Sequence, residues 1–336
     1  ALEVEEWAEP TPGDSAVTVV FLGDNVYPVG NRDRDHPEFE ADSSKLWGQV
    51  DVLGGPSARS RGARGLFLAG NHDWGNRAGE EALERLRNQE AMLEAARAGG
   101  WPVELVPRAG EPGPVTVDVG DRARLLLVDT HWFLQERDPG ARSVFFGRVR
   151  QRLSDADAEG RHLILAAHHP YQSVGPHGER MPGMKALGLE FLLKKSGTLV
   201  QDLNSPIYGD LLLELESSFR DVARPLIFAG GHDHSLQVMD PATEYGPRTV
   251  LVSGAGSKLS DYADSPHLRY AASRPGYMTV IFRKNGAVDL FVTASASRDV
   301  SCEEETGESR AMCVRDGAAA MRQVYSERLV GPETSP

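Results

Sequence analysis

A chain of 336 residues, 40% hydrophobic and 25% charged, can bury a substantial core as one large α/β domain or two smaller ones. Lysine and arginine number 36 against 49 aspartates and glutamates, and the net charge of −13 disfavours non-specific attraction to nucleic acid or an anionic bilayer without excluding a local cation site. No apolar stretch approaches the length of a transmembrane helix, and the N-terminus shows neither a basic n-region nor an apolar h-region.

In chain order, residues 1–7 read as the end of a helix and 10–14 as a turn. Val17-Thr18-Val19-Val20-Phe21-Leu22 is β-branched and apolar, as expected of a strand covered on both faces, and it ends in Gly23-Asp24-Asn25-Val26-Tyr27-Pro28. Residues 30–45 are polar without a clear period and read as a surface loop. A second buried strand, 65–69, delivers Gly70-Asn71-His72-Asp73. A helix is predicted over 79–98, with Leu83, Leu86 and Leu93 on one stripe and Gly99-Gly100 as its stop. Residues 115–119 and 123–128 form a hairpin, the second strand ending in Asp129-Thr130-His131.

Residues 161–167 are another apolar strand, ending in His168-His169-Pro170. Between 178 and 225 the clearest helical stretch is 210–222, as a lid or as simple packing. The strand 225–229 runs into Gly230-Gly231-His232-Asp233-His234, and 248–252 into Ser253-Gly254-Ala255-Gly256-Ser257. Residues 277–283 and 287–292 flank Asn285-Gly286, the strongest hairpin signal present. Beyond Thr293 the period fades into acidic residues and a short helix. Cys302 and Cys313 allow a small-loop disulfide in an oxidising compartment, the preferred reading, or two unrelated buried thiols.

The recurring pattern is an apolar strand, a small residue, then a metal-competent or proton-transferring side chain. Loops at the carboxyl ends of strands build sites in α/β sheets, so Asp24, Asn71, His168, His232 and His234 can converge. If the segment after 225–229 stays extended, the period of two points His232 and His234 to one side. Each has a plainer reading. Asp24 can be a cap, Asn71 a turn residue, Tyr27 a packed tyrosine, His72 and the histidine pairs ordinary surface or core residues. His131 can also approach the site, and one of His168 and His169 must be something other than a ligand.

Taken together, Gly23-Asp24-Asn25-Val26-Tyr27, Gly70-Asn71-His72-Asp73, His168-His169-Pro170, and Gly231-His232-Asp233-His234 followed by Ser253-Gly254-Ala255-Gly256 resemble the ordered blocks of the calcineurin-like metallophosphoesterases. Within them the likeness is to small purple acid phosphatases of the tartrate-resistant type, and it runs over 17–256. The resemblance implies an α/β four-layer sandwich, two mixed β-sheets packed together and flanked by helices. It also implies two divalent or trivalent metal ions, iron paired with zinc, iron or manganese. Asp24 would bridge them; Asn71, His168 and His232 would hold one ion, and His234 with the Tyr27 phenolate the other. His72 would bind the phosphate and protonate the leaving group, with Asp24 and His72 as the catalytic pair and Asn71, His72 and His177 contacting substrate. Two ions roughly 3.5–4 Å apart would lower the pKa of bound water and stabilise an in-line displacement at phosphorus.

One departure stands out: the family's first aspartate block, DxH or GDxG, has no match before Val17, and Asp14, in a turn, is not assigned that role. The expectation is that this block precedes Ala1 in the natural protein; the alternative is a site lacking one ligand. The chain is divided into a metallophosphoesterase domain, 1–297, and a C-terminal extension packed on it, 298–336. The function expected is hydrolysis of a small phosphomonoester. Alternatives are a phosphodiesterase or nucleotide pyrophosphatase on the same site, or a catalytically degenerate binding protein. An exported location is expected, with no nucleic-acid partner.

Overall fold

The computed structural model describes residues 17–136, 138–178, 203, 205–296 and 321–332. The readings of 1–14 and the Cys302/Cys313 pair lie outside these residues. A parallel sheet is formed by β1 (Thr18–Phe21), β2 (Arg64–Phe67) and β3 (Val103–Leu105). A seven-stranded mixed sheet contains β4 (Val115–Val119), β5 (Ala123–Leu127), β6 (His162–Ala166), β7 (Ile227–Gly230), β8 (Leu236–Met239), β9 (Thr249–Ser253) and β10 (Leu268–Ala272) in the order β10-β8-β9-β7-β6-β5-β4. An antiparallel sheet joins β11 (Gly276–Phe282), β12 (Val288–Ser295) and β13 (Met321–Val330). The helices are α1 (Phe39–Val50), α2 (Pro56–Ser60), α3 (Glu80–Ala98), α4 (Thr130–Gln135), α5 (Pro139–Ala158) and α6 (Pro206–Asp221).

The layering follows from strand alternation. Leu125, Leu127, Ile164, Ala166, Ile227 and Leu251 face Leu66 and Leu68 of the first sheet and Val288, Leu290 and Val292 of β12. Their neighbours Leu126, Leu165, Phe228 and Val250 face the other way, onto Phe145, Phe146 and Val149 of α5 and Leu211, Leu215 and Phe219 of α6. The outer face of the first sheet, with Phe67, Val103 and Leu105, is covered by Leu46 and Val50 of α1 and Leu93 and Ala96 of α3. Both faces of these strands are buried, which is why their sequences read as apolar runs. The expected sandwich is present, but the layer facing the seven-stranded sheet is two separately hydrogen-bonded sheets, one parallel and one antiparallel.

Two expectations are corrected and one strand is added. Residues 39–50, partly assigned to a loop, are α1; its buried face carries Asp42 and Ser43, which break the apolar stripe. Asp42 is tolerated there because Arg32 and Lys45 pair with it at 3.1 and 3.6 Å. Beyond Thr293 the described residues complete β12 and form β13, a strand not assigned from the sequence; residues 297–320, where the short helix is expected, lie outside the described residues. The charged side chains of β13 mask the strand period, and two find distant partners: Arg328 pairs with Asp289 of the neighbouring β12 at 2.8 Å, and Glu327 with Arg269 of β10 in the seven-stranded sheet. Finally, β7 ends at Gly230, so His232 and His234 do not continue an extended strand. As for the lid-or-packing question, α6 packs on α5.

β1 and β2 are parallel, as are β5, β6, β7 and β9. Within each set the carboxyl ends therefore share one edge. The two edges meet where His168 Nδ1 lies 2.8 Å from the Leu22 carbonyl oxygen.

Candidate active site

The loops that follow β1, β2, β6 and β7 bring the predicted side chains together. Asp24 Oδ1 accepts the backbone N–H of His72 at 2.9 Å and lies 3.4 Å from His168 Nε2. His168 Nε2 is also 2.9 Å from Asn71 Oδ1 and 3.1 Å from His232 Nδ1. The other carboxylate oxygen, Asp24 Oδ2, accepts the Tyr27 hydroxyl at 2.8 Å, and that hydroxyl lies 2.9 Å from His234 Nε2. Asp24 thus stands between two groups of donor atoms, one with Asn71, His168 and His232, the other with Tyr27 and His234.

The first group fits a cation by the chemistry of its atoms. A carbonyl oxygen only accepts, so the Leu22 carbonyl fixes the proton of His168 on Nδ1. Burial holds this imidazole below its ordinary range, against the pull of Asp24, so Nε2 carries a lone pair. The Asn71 amide nitrogen donates to Asn76 Oδ1 at 2.6 Å, which turns its oxygen toward His168. Carboxylate, amide oxygen and imidazole lone pair then face one another, an arrangement that a positive ion between them relieves.

Backbone geometry explains why these residues can approach. Among the described residues, the non-glycine positions with positive φ are Asp24 at 57°, Asn76 at 56° and His232 at 54°, and all three belong to this site. Such conformations cost of order 1–3 kcal/mol each and cluster where function needs them. His232 is the centre of a tight turn, with the Asp233 N–H donating to the Gly231 carbonyl at 2.6 Å and the Ser235 N–H to that of Asp233 at 2.8 Å. Because of that turn, His232 reaches His168 while His234 reaches Tyr27.

Gly70 is required for the same reason, since a Cβ there would lie 2.3 Å from both the backbone nitrogen and Oδ1 of Asp24. Gly70→Ala is therefore expected to destabilise the fold by roughly 1–3 kcal/mol and to displace Asp24; denaturant unfolding with metal analysis checks it.

His72 stands beside the donor groups and is held by the backbone. Its Nδ1 lies 2.6 Å from the Pro28 carbonyl oxygen and so carries a proton, leaving Nε2 for a ligand. The ring stands 4.2 Å from that of Tyr27. The His177 ring lies tilted against that of His232 with ring centres 4.3 Å apart, and the His177 backbone N–H donates to Asp233 Oδ1 at 3.1 Å. His131 is buried behind the site; its Nε2 lies 3.1 Å from the Arg77 carbonyl oxygen. His168, not His169, faces Asn71 and Asp24, because His169 Nδ1 meets the Thr130 hydroxyl at 2.8 Å. His168, His169 and His232 nevertheless form a buried cluster whose ligand nitrogens lie within 4.8 Å of one another. Asp14 lies outside the described residues.

Supporting residues went unassigned from the sequence. Asp73 accepts the N–H groups of Gly70 at 2.8 Å and Val26 at 3.0 Å, tying the first two loops together. Asn76 orients Asn71, and its signal was the Gly75-Asn76 turn five residues on. Lys258, in the loop after β9, sets its ammonium 4.0 Å from the centre of the Tyr27 ring. The backbone carbonyls of Leu22 and Pro28 have no sequence signature.

No protein-family model matches the sequence, and no curated protein matches it. Among solved structures, the purple acid phosphatase PPD1 from yellow lupin (Lupinus luteus) seeds matches with a TM-score of 0.50 and 13% identity, over 85% of this chain and 45% of that one. The fold is similar to that of a purple acid phosphatase. GAP50, the anchor in the inner membrane complex of Plasmodium, matches with a TM-score of 0.50 and 14% identity, over 90% of this chain and 84% of that one. The chain spans less than half the length of the lupin protein. Among the described residues no helix is long and apolar enough to cross a membrane.

The electrostatics carry a pH prediction. Burial pushes His234 down to about 4, against the pull of Asp24 and with the Lys258 ammonium adding to the shift. Burial also raises the Asp24 carboxyl, but His168 and His72, the His72 amide and the Tyr27 hydroxyl outweigh it and leave the group below the ordinary aspartate range. For His234 the folded value lies below the unfolded one near 6.5, so its contribution is complete above about pH 6.5 and is lost as pH falls toward about 4. Unfolding measured with a chelator present should show stability declining across that window, and His234→Gln should flatten the slope.

Proposed function

We propose that the protein is a dinuclear metal-dependent hydrolase of small phosphomonoesters. The observation that carries this reading is the placement of Asp24 between two groups of donor atoms. Asn71, His168 and His232 would hold one ion and Tyr27 and His234 the other, with Asp24 shared. Cations bound there supply Lewis-acid charge for the phosphoryl oxygens and lower the pKa of water.

The remaining chemistry belongs to the chain. Asp24 and the lone pairs of His168 and His234 set the charge of the centre. His72, with Nδ1 held by the Pro28 carbonyl, presents Nε2 to a phosphoryl oxygen and, when protonated, passes its proton to the leaving alcohol. His177 stands beside His232 at the mouth and contacts substrate. Inorganic phosphate and an alcohol are the products.

The test is metal content together with hydrolysis of an aryl phosphate. Two ions per chain and metal-restored turnover are expected; less than one ion and no restored activity would overturn the reading. Iron on the Tyr27 phenolate should give a visible charge-transfer band, whereas a colourless active enzyme points to zinc or manganese. Comparing mono- and diester substrates separates the phosphatase from a phosphodiesterase or nucleotide pyrophosphatase.

A second reading, a non-catalytic binding protein on this scaffold, is favoured by the likeness to GAP50, described as an anchor. It predicts metal binding without turnover. We assign the natural protein an exported location, tested by fractionating its native host.

A further inference from the structure

Lys258 lies beside the site, and among the described residues its ammonium has no acidic partner. The side chain is exposed, and among the described residues no carboxylate pairs with it. By contrast, the Arg124 guanidinium is paired with Asp118 and Glu159, and Lys45 with Asp42. What sets Lys258 apart is its place beside the donor atoms of the site, where a cation without its own carboxylate can meet an anion.

Its position is set by the loop and not by chance reach. On one side the Gly254 N–H donates to the Ser235 carbonyl at 3.1 Å, and on the other the Ser260 N–H donates to the His234 carbonyl at 2.8 Å. Both acceptors belong to the turn that carries His234, so the loop bearing Lys258 is fastened to that turn on either side of it. The ammonium rests 4.0 Å from the centre of the Tyr27 ring, whose hydroxyl meets Asp24 and His234. An exposed cation–π contact of this kind contributes only about 0.5–1 kcal/mol and leaves the ammonium's donors available.

We propose that Lys258 is a substrate-binding residue that takes a phosphate-type oxyanion at the Tyr27 and His234 side of the site. The proposal rests on the phosphoesterase reading for the identity of the ligand, but its test does not depend on turnover. The shared chemistry is a phosphate oxygen. Its source is either the phosphoryl group under attack or a second phosphate unit beside it.

The experiment uses the full metal-loaded chain and its Lys258→Met and Lys258→Arg variants. Calorimetry measures the binding of inorganic phosphate and of methylenebisphosphonate, metal analysis accompanies it, and KM and kcat are taken on an aryl phosphate. Losing one charge-assisted hydrogen bond should weaken oxyanion binding in Lys258→Met by about tenfold to a hundredfold. Metal content should stay unchanged, KM should rise more than kcat falls, and Lys258→Arg should recover most of the affinity. Equal loss for both probes assigns the ammonium to the phosphoryl group itself; a larger loss for the bisphosphonate assigns it to a second phosphate.

Binding unchanged within twofold in Lys258→Met, no phosphate binding by the parent chain, or loss of metal in the variant would each overturn the proposal. Phosphate binding that depends on Lys258 without any hydrolysis would support it and overturn the phosphatase reading instead.

Discussion

Asp24→Asn should reduce bound metal from two ions per chain to one or none and lower aryl phosphate hydrolysis by at least about a hundredfold. Loss of a group outside the ligand shell already costs about ten- to a hundredfold in affinity or activity, and Asp24 is placed inside that shell. The amide is the same size and can still accept the His72 N–H that reaches Oδ1 at 2.9 Å. What it removes is the negative charge that faces His168 on one side and the Tyr27 hydroxyl on the other. Burial penalises that charge, but the groups around it outweigh the penalty and hold the carboxyl below its ordinary range, so the chelated variant should unfold somewhat more easily than the chelated parent, and the further stabilisation conferred by added metal disappears. Thermal unfolding with and without metal, alongside metal analysis, reads both effects. Retention of two ions would remove Asp24 from its place between them.

His72→Ala should behave in the opposite way, keeping the metal and losing about 10²- to 10⁴-fold in turnover, the usual contribution of a positioned acid or base. The reason is a division of labour within one residue. The backbone N–H of His72 supports Asp24, and that bond survives the substitution. The imidazole is held at Nδ1 by the Pro28 carbonyl, with Asn76 Nδ2 3.2 Å from the same nitrogen, and it offers Nε2 to a ligand. Metal content and kcat measured on the same preparation distinguish the two parts. Loss of metal in this variant would place the imidazole among the ligands.

Much of the architecture was legible because burial on both faces leaves a local trace. The runs that became β1, β5, β6, β7 and β9 are apolar on both sides, α3 lies within a residue of its predicted span, and Asn285-Gly286 marked the β11–β12 hairpin. Where a polar group is buried with a distant partner, the trace is erased. Asp42 interrupts the stripe of α1 because Arg32 neutralises it, and β13 hides its period behind Arg328 and Glu327, whose partners come from β12 and β10.

The site divides along the same line. By itself the sequence determined which side chains are available and that they follow strand ends in a fixed order: Asp24, Asn71, His72, His168, His232 and His234. That information is local, because an apolar strand followed by a small residue and a polar one is written in consecutive positions. Only the tertiary structure decided where each side chain points. The two histidines of Gly231-His232-Asp233-His234 serve different neighbours because His232 adopts a positive φ at 54°, not because a strand continues. The choice of His168 over His169 and the free nitrogen of His72 rest on the Leu22 and Pro28 carbonyls and the Thr130 hydroxyl. A main-chain carbonyl is the same in every residue, so its part in a site is set by three-dimensional position alone.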